Sequence, residues 1–436
     1  MRTKKLRLVS ALLALAMLFV MMPVGAFADY DPTMSGNCGA GGPNDNSVTW
    51  KVENNNDTID ITDHVRGMTL TISGDGAMAD YESYNDLPWE GWKQRITKIV
   101  IENGVTRIGK NAFYDYQTEI ALPDSVTSIG DRAFCYCGKL GKVKLPPNLT
   151  EIGVAAFAHC GARENVEIPA GVETIGDEAF LGCTNLGSVT ILNGVTNIGA
   201  FAFSGCSLTS IDIPSSVTNI GKDAFSNCSG LTSIDIPNGV TNIGAEAFRN
   251  CIGLTSIDIP SSVTNIGEYA FASCSGLTSI DIPSSVTSIE KGMFYGCTKL
   301  ESIDIPDSVT TIGDDAFALC VALKEITIPQ QVEKIGAEAF TGCAQLEKID
   351  IESDSNLTTA EESTESTVGG HAFETNCLYQ YGACTAADSS ALKEYLALLG
   401  ITIPQFAETK IYCDAPLKKS GNLSGKGVAE ENIIAS

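Results

Sequence analysis

The sequence has little positive charge and little histidine. Its 436 residues hold 28 Lys and Arg against 53 Asp and Glu, a net charge of −25, and only three histidines. Affinity for nucleic acid depends on Lys and Arg that release counterions from phosphates, so this balance excludes a nucleic-acid partner. His64, His159 and His371 are far apart in the chain, with no GxSxG or HExxH motif nearby. Because nucleophilic catalysis needs a base beside its nucleophile, the sequence predicts a protein that is not an enzyme.

Long hydrophobic runs are also scarce, since the sequence has only one, at its N-terminus. Arg2, Lys4 and Lys5 precede an almost wholly apolar run over residues 8–20, and Ala26-Phe27-Ala28 then supplies a small-x-small pattern. This order is the signature of a secretory signal peptide, so residues 1–28 are predicted to be a cleaved targeting segment. No second apolar run follows it, and we therefore expect an exported chain without a transmembrane segment.

Residues 96–352 repeat a pattern with a period of 23 residues. A phenylalanine, usually after alanine, recurs at intervals of 21, 22 or 23 residues, at Phe113, Phe134, Phe157, Phe180, Phe203, Phe225, Phe248, Phe271, Phe294, Phe317 and Phe340. A cysteine follows ten of them by three positions, at Cys137, Cys160, Cys183, Cys206, Cys228, Cys251, Cys274, Cys297, Cys320 and Cys343. We name these the ladder cysteines. A fixed period of this length predicts stacked structural repeats.

One unit shows how each repeat is expected to fold. Leu254, Ile257 and Ile259 are apolar around polar neighbours, which predicts a short strand with one buried face. Pro260 has no amide hydrogen for a continuing strand ladder, so the strand is expected to end there. Val263 and Ile266 are predicted to point inward again.

The second half of the unit contains a recurrent glycine, Gly267, and then Phe271 and Cys274. Recurrence of glycine predicts either a positive φ or a close backbone approach. An acidic or polar residue often follows the glycine, which favours the start of a short helical turn. Phe271 and Cys274 are expected to share one face of that turn.

These units predict a solenoid. A single unit cannot bury its apolar residues, whereas stacked copies place like side chains in columns about 4.8 Å apart. We expect about eleven coils over residues 96–352, with short parallel strands on one face and short helical turns or loops on the other.

The pattern LxxIxIPxxVxxIGxxAFxxC, which recurs through residues 208–343, resembles the BspA-like leucine-rich repeats of bacterial cell-surface proteins. The resemblance implies a curved, exported solenoid, secreted or on the surface of a bacterium, that acts in adhesion or in binding an extracellular protein or glycan. It implies no cofactor and no particular ligand.

Other segments complete the predicted domain organisation. Residues 29–95 hold all three tryptophans and are expected to form a small β-rich N-terminal cap. Residues 353–370 form a Ser/Thr/Glu-rich insertion, 371–413 a degenerate repeat and C-terminal cap, and 414–436 a flexible tail.

The ladder cysteines suggest disulfides or metal at first sight. Parallel stacking would keep neighbouring Cβ atoms near 5 Å apart, beyond the distance of about 3.8 Å typical of a disulfide, so buried free thiols are the preferred interpretation. Five cysteines remain: Cys38, Cys135, Cys377, Cys384 and Cys413. The last three leave open one disulfide, or a zinc ion with His371, but their spacing matches no compact zinc motif and no metal site is predicted.

The segment from Gly104 to Lys110 matches the phosphate-binding pattern GxxxxGK, although Asn111 stands where a magnesium-binding Ser or Thr is needed. The same residues are the V-T-x-I-G part of the first repeat, and we interpret them as structural.

The outward residues of the predicted strands form the candidate binding face. They fall into a threonine column and an acidic column, namely Thr209, Thr232, Thr255 and Thr278 beside Asp212, Asp235, Asp258, Asp281 and Asp304. The five carboxylates, named here the aspartate column, suit a cationic or repetitive partner, either a protein or a glycan, or calcium between neighbouring carboxylates. They are otherwise a solvated surface. The alternative functions are a structural spacer or a non-catalytic part of a secreted enzyme system.

Overall fold

The computed structural model of the protein describes residues 34–42, 44–59, 66–141, 143–161, 164–351, 410–413 and 433–435. The predicted signal peptide and the insertion at 353–370 lie outside the described residues, as do most of the predicted C-terminal cap and tail.

The described chain contains many short strands and two 3-10 helices. The helices are Tyr84–Asp86 and Glu90–Arg95. The first strands are β1 (Met34–Asn37), β2 (Val48–Ile59), β3 (Arg66–Gly74), β4 (Gly76–Ala77), β5 (Ile96–Ile101), β6 (Val105–Ile108), β7 (Ile120–Ala121), β8 (Ser128–Ile129), β9 (Glu151–Ile152), β10 (Glu164–Ile168), β11 (Thr174–Ile175) and β12 (Leu186–Ile191). The others are β13 (Asn197–Ile198), β14 (Ser210–Asp212), β15 (Asn219–Ile220), β16 (Asn242–Ile243), β17 (Asn265–Ile266), β18 (Ser288–Ile289), β19 (Thr311–Ile312), β20 (Glu325–Ile328), β21 (Lys334–Ile335), β22 (Lys348–Ile351), β23 (Lys410–Cys413) and β24 (Ile433–Ala435).

The N-terminal strands cover the first coil. Strands β1, β2 and β3 pair antiparallel, and β3 then pairs in parallel with β5, the first strand of the solenoid. Trp89 is fully buried between Trp50 and Phe113, with ring centroids 6.1 Å from each. The β-rich N-terminal region therefore closes the end of the core.

Eleven coils follow, which confirms the predicted solenoid of parallel strands. One face, named the long-strand column, holds β5, β7, β10, β12, β14, β20 and β22, and in the middle coils it consists of single parallel bridges at Asp235, Asp258, Asp281 and Asp304. β23 and β24 extend this column in parallel beyond β22. The predicted inward residues Leu254, Ile257 and Ile259 are buried.

A second strand column, which the sequence interpretation did not include, runs through the V-T-x-I-G segments. This short-strand column holds β6, β8, β9, β11, β13, β15, β16, β17, β18, β19 and β21, with one strand per coil. Ile220, Ile243 and Ile266 lie in register along it and are buried. Two-residue strands are too short to show an alternation, so the pattern revealed only their inward isoleucines.

The recurrent glycine of each coil meets the backbone of the coil before it. A Cβ built on Gly267 would lie 2.4 Å from the amide nitrogen of Ala245, and the φ of Gly267 is not positive. Close approach, rather than conformation, is therefore the reason for this glycine. Glu290 replaces it in one coil, and β17 and β18, which flank that step, lie in separate sheets of the described chain.

The face that carries Phe and Cys consists of consecutive tight turns, with no α-helix among the described residues. The amides of Ala270, Ala272 and Cys274 donate to carbonyls three residues back, at 2.9–3.3 Å. The amides between them, of Tyr269, Phe271 and Ser273, donate to carbonyls of the following coil at 2.6–3.0 Å. Every backbone amide of this segment thus has a partner, half of them in the next coil.

Acidic residues after the glycine act between coils, and not at the start of a helix. A carboxylate oxygen of Asp131, Asp177 or Asp314 accepts a backbone amide of the following coil at 2.7–2.8 Å. The sequence predicted the start of a helical turn at this position, whereas the amides that these carboxylates accept belong to the neighbouring repeat.

The phenylalanines form one continuous buried column. Successive rings from Phe113 to Phe340 are stacked with centroids 5.3–5.8 Å apart and planes within 15°. This offset geometry is the favourable arrangement for aromatic rings, each contact contributing about 0.5–1.5 kcal/mol beyond burial.

The ladder cysteines are buried free thiols, as predicted, and they also make a contact that sequence reasoning missed. Each Sγ donates to the carbonyl of a phenylalanine in a preceding coil at 2.8–3.2 Å, for example Cys274 to Phe248 and Cys297 to Phe271. Burial raises the pKa of Cys228 and of Cys297 to about 12. These thiols remain protonated donors at neutral pH.

Replacing Gly244 with alanine should lower the free energy of unfolding by about 1–3 kcal/mol, because the new Cβ overpacks against the preceding coil. That atom would lie 2.6 Å from Gly221 C and Lys222 N, which are backbone atoms. Gly187→Ala is the control, since no heavy atom lies within 4 Å of its Cβ position. The control should change stability by less than about 0.5 kcal/mol in denaturant unfolding, and an equal loss in both variants would contradict the close-approach explanation.

Stability should fall as pH rises above about 9, because the buried thiols have folded-state pKa values above their ordinary value of 9.0. The folded state binds more protons than the unfolded state between pH 9 and 12, so the stabilisation is complete below 9 and is lost toward 12. Each thiol contributes a slope of about 1.4 kcal/mol per pH unit in this window.

The double variant Cys228→Ala/Cys297→Ala should reduce that slope by about 2.8 kcal/mol per pH unit. Unfolding free energies between pH 9.5 and 11 measure it. Val240→Ala/Val309→Ala is the matched control, because both valines are fully buried and neither titrates. If the cysteine and valine variants show the same slope as the unmodified protein, the thiols do not control the alkaline response.

Candidate binding surface

The aspartate column exists as a surface feature of the long-strand column. Asp235, Asp258, Asp281 and Asp304 bridge in parallel from coil to coil, and Asp212 lies in β14. All five side chains are exposed. The structure thus brings together the carboxylates that the sequence predicted to align.

The column carries an uncompensated charge. Within the described coils, no ion pair joins any of the five aspartates to a Lys or Arg. Adjacent carboxylates about 5 Å apart repel each other by roughly 0.8 kcal/mol even at the dielectric constant of water. A cationic group that lies over the column would relieve this repulsion.

The threonine column beside it takes part in holding the coils together. The hydroxyls of Thr209, Thr255 and Thr278 donate to carbonyls of the preceding coil at 3.1–3.4 Å. Their hydrogens are therefore used within the fold. Of the two predicted columns, the aspartate column therefore has the side chains that are more available to bind a partner.

The expectation of calcium between neighbouring carboxylates is not supported. Among the described residues, no three His, Cys, Asp or Glu side chains converge as a metal site requires. The physical reason is the linear arrangement, since one carboxylate per coil provides two near neighbours, whereas Ca²⁺ takes six to eight oxygen ligands. Of the four residues of the open zinc alternative, Cys377, Cys384 and His371 lie outside the described residues, and Cys413 is the last residue of β23.

The phosphate-loop pattern is part of the first coil, as interpreted. Residues Val105–Ile108 form β6, and Lys110 Nζ pairs with Glu82 at 2.8 Å.

An asparagine ladder lies on the short-strand column and was not singled out from the sequence. The side-chain amides of Asn219, Asn242 and Asn265 each donate to the side-chain oxygen of the preceding asparagine at 2.5–2.6 Å, and the series starts at Asn197. The sequence feature that could have predicted this ladder is the V-T-N-I-G form of four consecutive units. Because these amides bond to one another, this column is structural.

An aromatic row on the turn face was also missed. Tyr84, Tyr114, Tyr136 and His159 follow one another across the first coils, with neighbouring ring centroids 4.8, 5.6 and 4.7 Å apart. Tyr84 and Tyr136 are 40% and 46% exposed. Their positions in successive repeats, 22–23 residues apart from Tyr114 to His159, were the available sequence signal.

A cavity of about 480 Å³ lies where the long-strand column is interrupted between β7 and β10. Apolar side chains line most of it, including Ile120, Phe134, Leu140, Val143 and Phe157. Among the described residues, its ionisable lining is limited to Glu119 and Lys144, which do not form a nucleophile and base pair. In the described part of the chain, no helix is both long and apolar enough to cross a bilayer.

Comparison with known proteins agrees with this architecture. The family described as BspA type leucine rich repeat region matches residues 92–165, 150–278 and 265–367, in six copies. No curated protein matches the sequence at a significant level.

Several solved structures are similar to the chain. A leucine-rich repeat protein from Bacteroides ovatus is 27% identical, over 75% of this chain and 90% of that chain, with a TM-score of 0.53. A leucine-rich repeat protein from Eubacterium ventriosum is 23% identical, over 81% and 98% of the two chains, with a TM-score of 0.50. A leucine rich cell surface protein from Faecalibacterium prausnitzii is 31% identical, over 74% and 96%, with a TM-score of 0.44.

The matched residues make up more than half of the chain and coincide with the eleven coils that the structure shows. The repeated elements of the sequence pattern, from the inward Leu and Ile to the stacked Phe and buried Cys, are the core of those coils. The chain belongs to the BspA-type leucine-rich repeat family.

Proposed function

We propose that this protein is an exported, non-catalytic binding module that holds a cationic protein partner on the aspartate column. The observation that carries the proposal is the row of five exposed carboxylates, Asp212 to Asp304, on a rigid parallel column without ion-pair partners in the described coils. Electrostatic complementarity of this kind raises association rates and selects partners of opposite charge.

Export to the outside of a bacterial cell, either secreted or at the surface, is part of the proposal. Its support is the basic, apolar and small-residue order of residues 1–28. Family membership supports a repeat module without its own catalysis, since the repeats build a surface rather than a pocket with a base and a nucleophile.

A structural spacer is the alternative, alone or as a non-catalytic part of a secreted enzyme system. Residues 208–305 consist of near-identical units, and their asparagine and threonine ladders serve the stack itself. A spacer would require no partner on the aspartate column.

The variant Asp235→Asn/Asp258→Asn/Asp281→Asn should weaken binding to immobilised poly-L-lysine at least tenfold and make it less dependent on salt. The reason is the loss of three aligned charges, whereas the fold should keep or gain stability as the repulsion along the column is removed. Biolayer interferometry at several ionic strengths measures the binding, and thermal unfolding checks the fold.

The matched control is Asp124→Asn/Glu173→Gln/Glu333→Gln, which removes the same charge from exposed positions outside the column. This control should bind nearly as well as the unmodified protein. Equal weakening in both variants would show that net charge alone attracts the probe, and absence of binding by the unmodified protein would favour the spacer.

A further inference from the structure

Each coil places two residues of its turn face in the left-handed backbone region, two positions before and two positions after the phenylalanine. In the second of these positions most coils have residues that tolerate a positive φ, namely Gly182, Gly205, Gly296, Gly342, Asn227, Asn250, Asp115 and Ser273. Tyr136, at φ 64°, and His159, at φ 54°, are exceptions, and Leu319 is the third. At the first of these positions Phe201 and Tyr269 also have a positive φ, so the left-handed backbone belongs to every coil, and what distinguishes Tyr136 and His159 at the second position is the aromatic ring that each carries.

Tyr136 and His159 belong to one feature, the aromatic row. The rings of Tyr136 and His159 stack at 4.7 Å with planes 15° apart, and those of Tyr84 and Tyr114 stack at 4.8 Å with planes 9° apart. Tyr114 joins the two pairs edge to face at 5.6 Å. Tyr136 and His159 thus extend a ring system that starts in the N-terminal region.

The surroundings of the row are apolar on one side. Cys135, Ala155 and Ala158 form a small buried cluster of their own, with Tyr114 and Leu181 packed against it. Val154 is 40% exposed nearby in sequence. Tyr114 is therefore supported from below, while Tyr84, Tyr136 and His159 are exposed to solvent.

Four charged groups beside the row are paired with one another. Lys93 lies 3.3 Å from Asp115 and 5.6 Å from the centre of the Tyr84 ring, and Lys110 pairs with Glu82 at 2.8 Å. Gln117 donates to Asp115 as well, at 3.1 Å. Compensated charges offer little attraction to an ionic ligand, in contrast to the aspartate column.

We infer that the aromatic row is a second binding site, and that its ligand is a neutral glycan chain. The stacked rings cover part of one another's faces, and their exposed portions combine apolar ring C–H groups with the hydroxyls of tyrosine, which match the apolar C–H groups and the hydroxyl groups of a sugar ring. Nucleobases also stack on such rings, but their phosphates are repelled by a chain of net charge −25.

A linear ligand fits the shape better than a folded protein does. A stable protein interface buries about 800 Å² on each partner around an apolar centre, whereas this row is one ring wide. Rings that follow one another by a single coil instead offer successive positions to successive sugar units. The inference shares with the proposed function only the premise of a binding module, since the row and the aspartate column lie on different faces.

The test is retardation of the purified protein in native gels that contain soluble neutral β-glucan, xylan, mannan or dextran. We expect at least one polysaccharide to retard the unmodified protein, with little change between about 0.01 and 1 M salt, over which the Debye length falls from about 30 to 3 Å. The variant Tyr136→Gly/His159→Gly should weaken the retardation at least tenfold. Its unfolding temperature should not fall, because glycine relieves the left-handed backbone in other coils at the same position.

Three further variants make the result specific. Tyr136→Phe keeps the ring and should retain most of the binding, while Leu319→Gly makes the same backbone change in a distant coil and should bind normally. The triple aspartate variant should also bind normally, so that failure of either site is seen independently of the other.

The inference is overturned if no neutral polysaccharide retards the protein, or if Tyr136→Gly/His159→Gly binds as before. It is also overturned if that variant instead loses binding to immobilised gelatin, which would identify a peptide surface.

Discussion

The fold depends on contacts between equivalent residues one coil apart, and the phenylalanine column shows this most directly. The amide of Phe271 donates to the carbonyl of Met293, and its own carbonyl accepts the thiol of Cys297, so both of its backbone groups bond to the following coil. Its ring stacks on Phe248 and on Phe294 at 5.7 and 5.8 Å. No coil can make these contacts alone, and a solenoid of this kind is stable only as an array whose end is covered, here by Trp89.

In such an array some residue positions must be the same in every coil, whereas others can differ. Inward positions repeat because every ring stacks on its own copy, and every thiol and close-packed glycine meets equivalent backbone atoms, in a neighbouring coil. Outward threonines and asparagines also bond from coil to coil, whereas other outward positions are free of this requirement, and the two surfaces proposed for binding use that freedom in opposite ways. The aspartate column concentrates one charge in the central coils, whereas the aromatic row near Tyr114 and Tyr136 combines apolar rings with paired charges.

Much of this structure could be predicted from the sequence pattern. Its alternation predicted that Leu254, Ile257 and Ile259 are buried, and its period predicted the alignment of the aspartates, because a repeat places equal positions side by side. The turn face was harder, since a pattern of Ala, Phe and Cys at three-residue spacing fits a helical turn as well as consecutive tight turns. What decides between them is the hydrogen bonding of Tyr269, Phe271 and Ser273 to the next coil, which no single unit contains.

The sequence by itself determined the solenoid, the family, the buried columns and the line of carboxylates, because each is a property of one unit multiplied by its period. Only the tertiary structure decided that the recurrent glycine serves close approach, that the thiols donate to phenylalanine carbonyls, and that the rings of Tyr136 and His159 stack on each other. These features depend on distances between atoms of neighbouring coils. Such distances are set by how the coils pack, and residues 23 positions apart in a sequence carry no direct record of them.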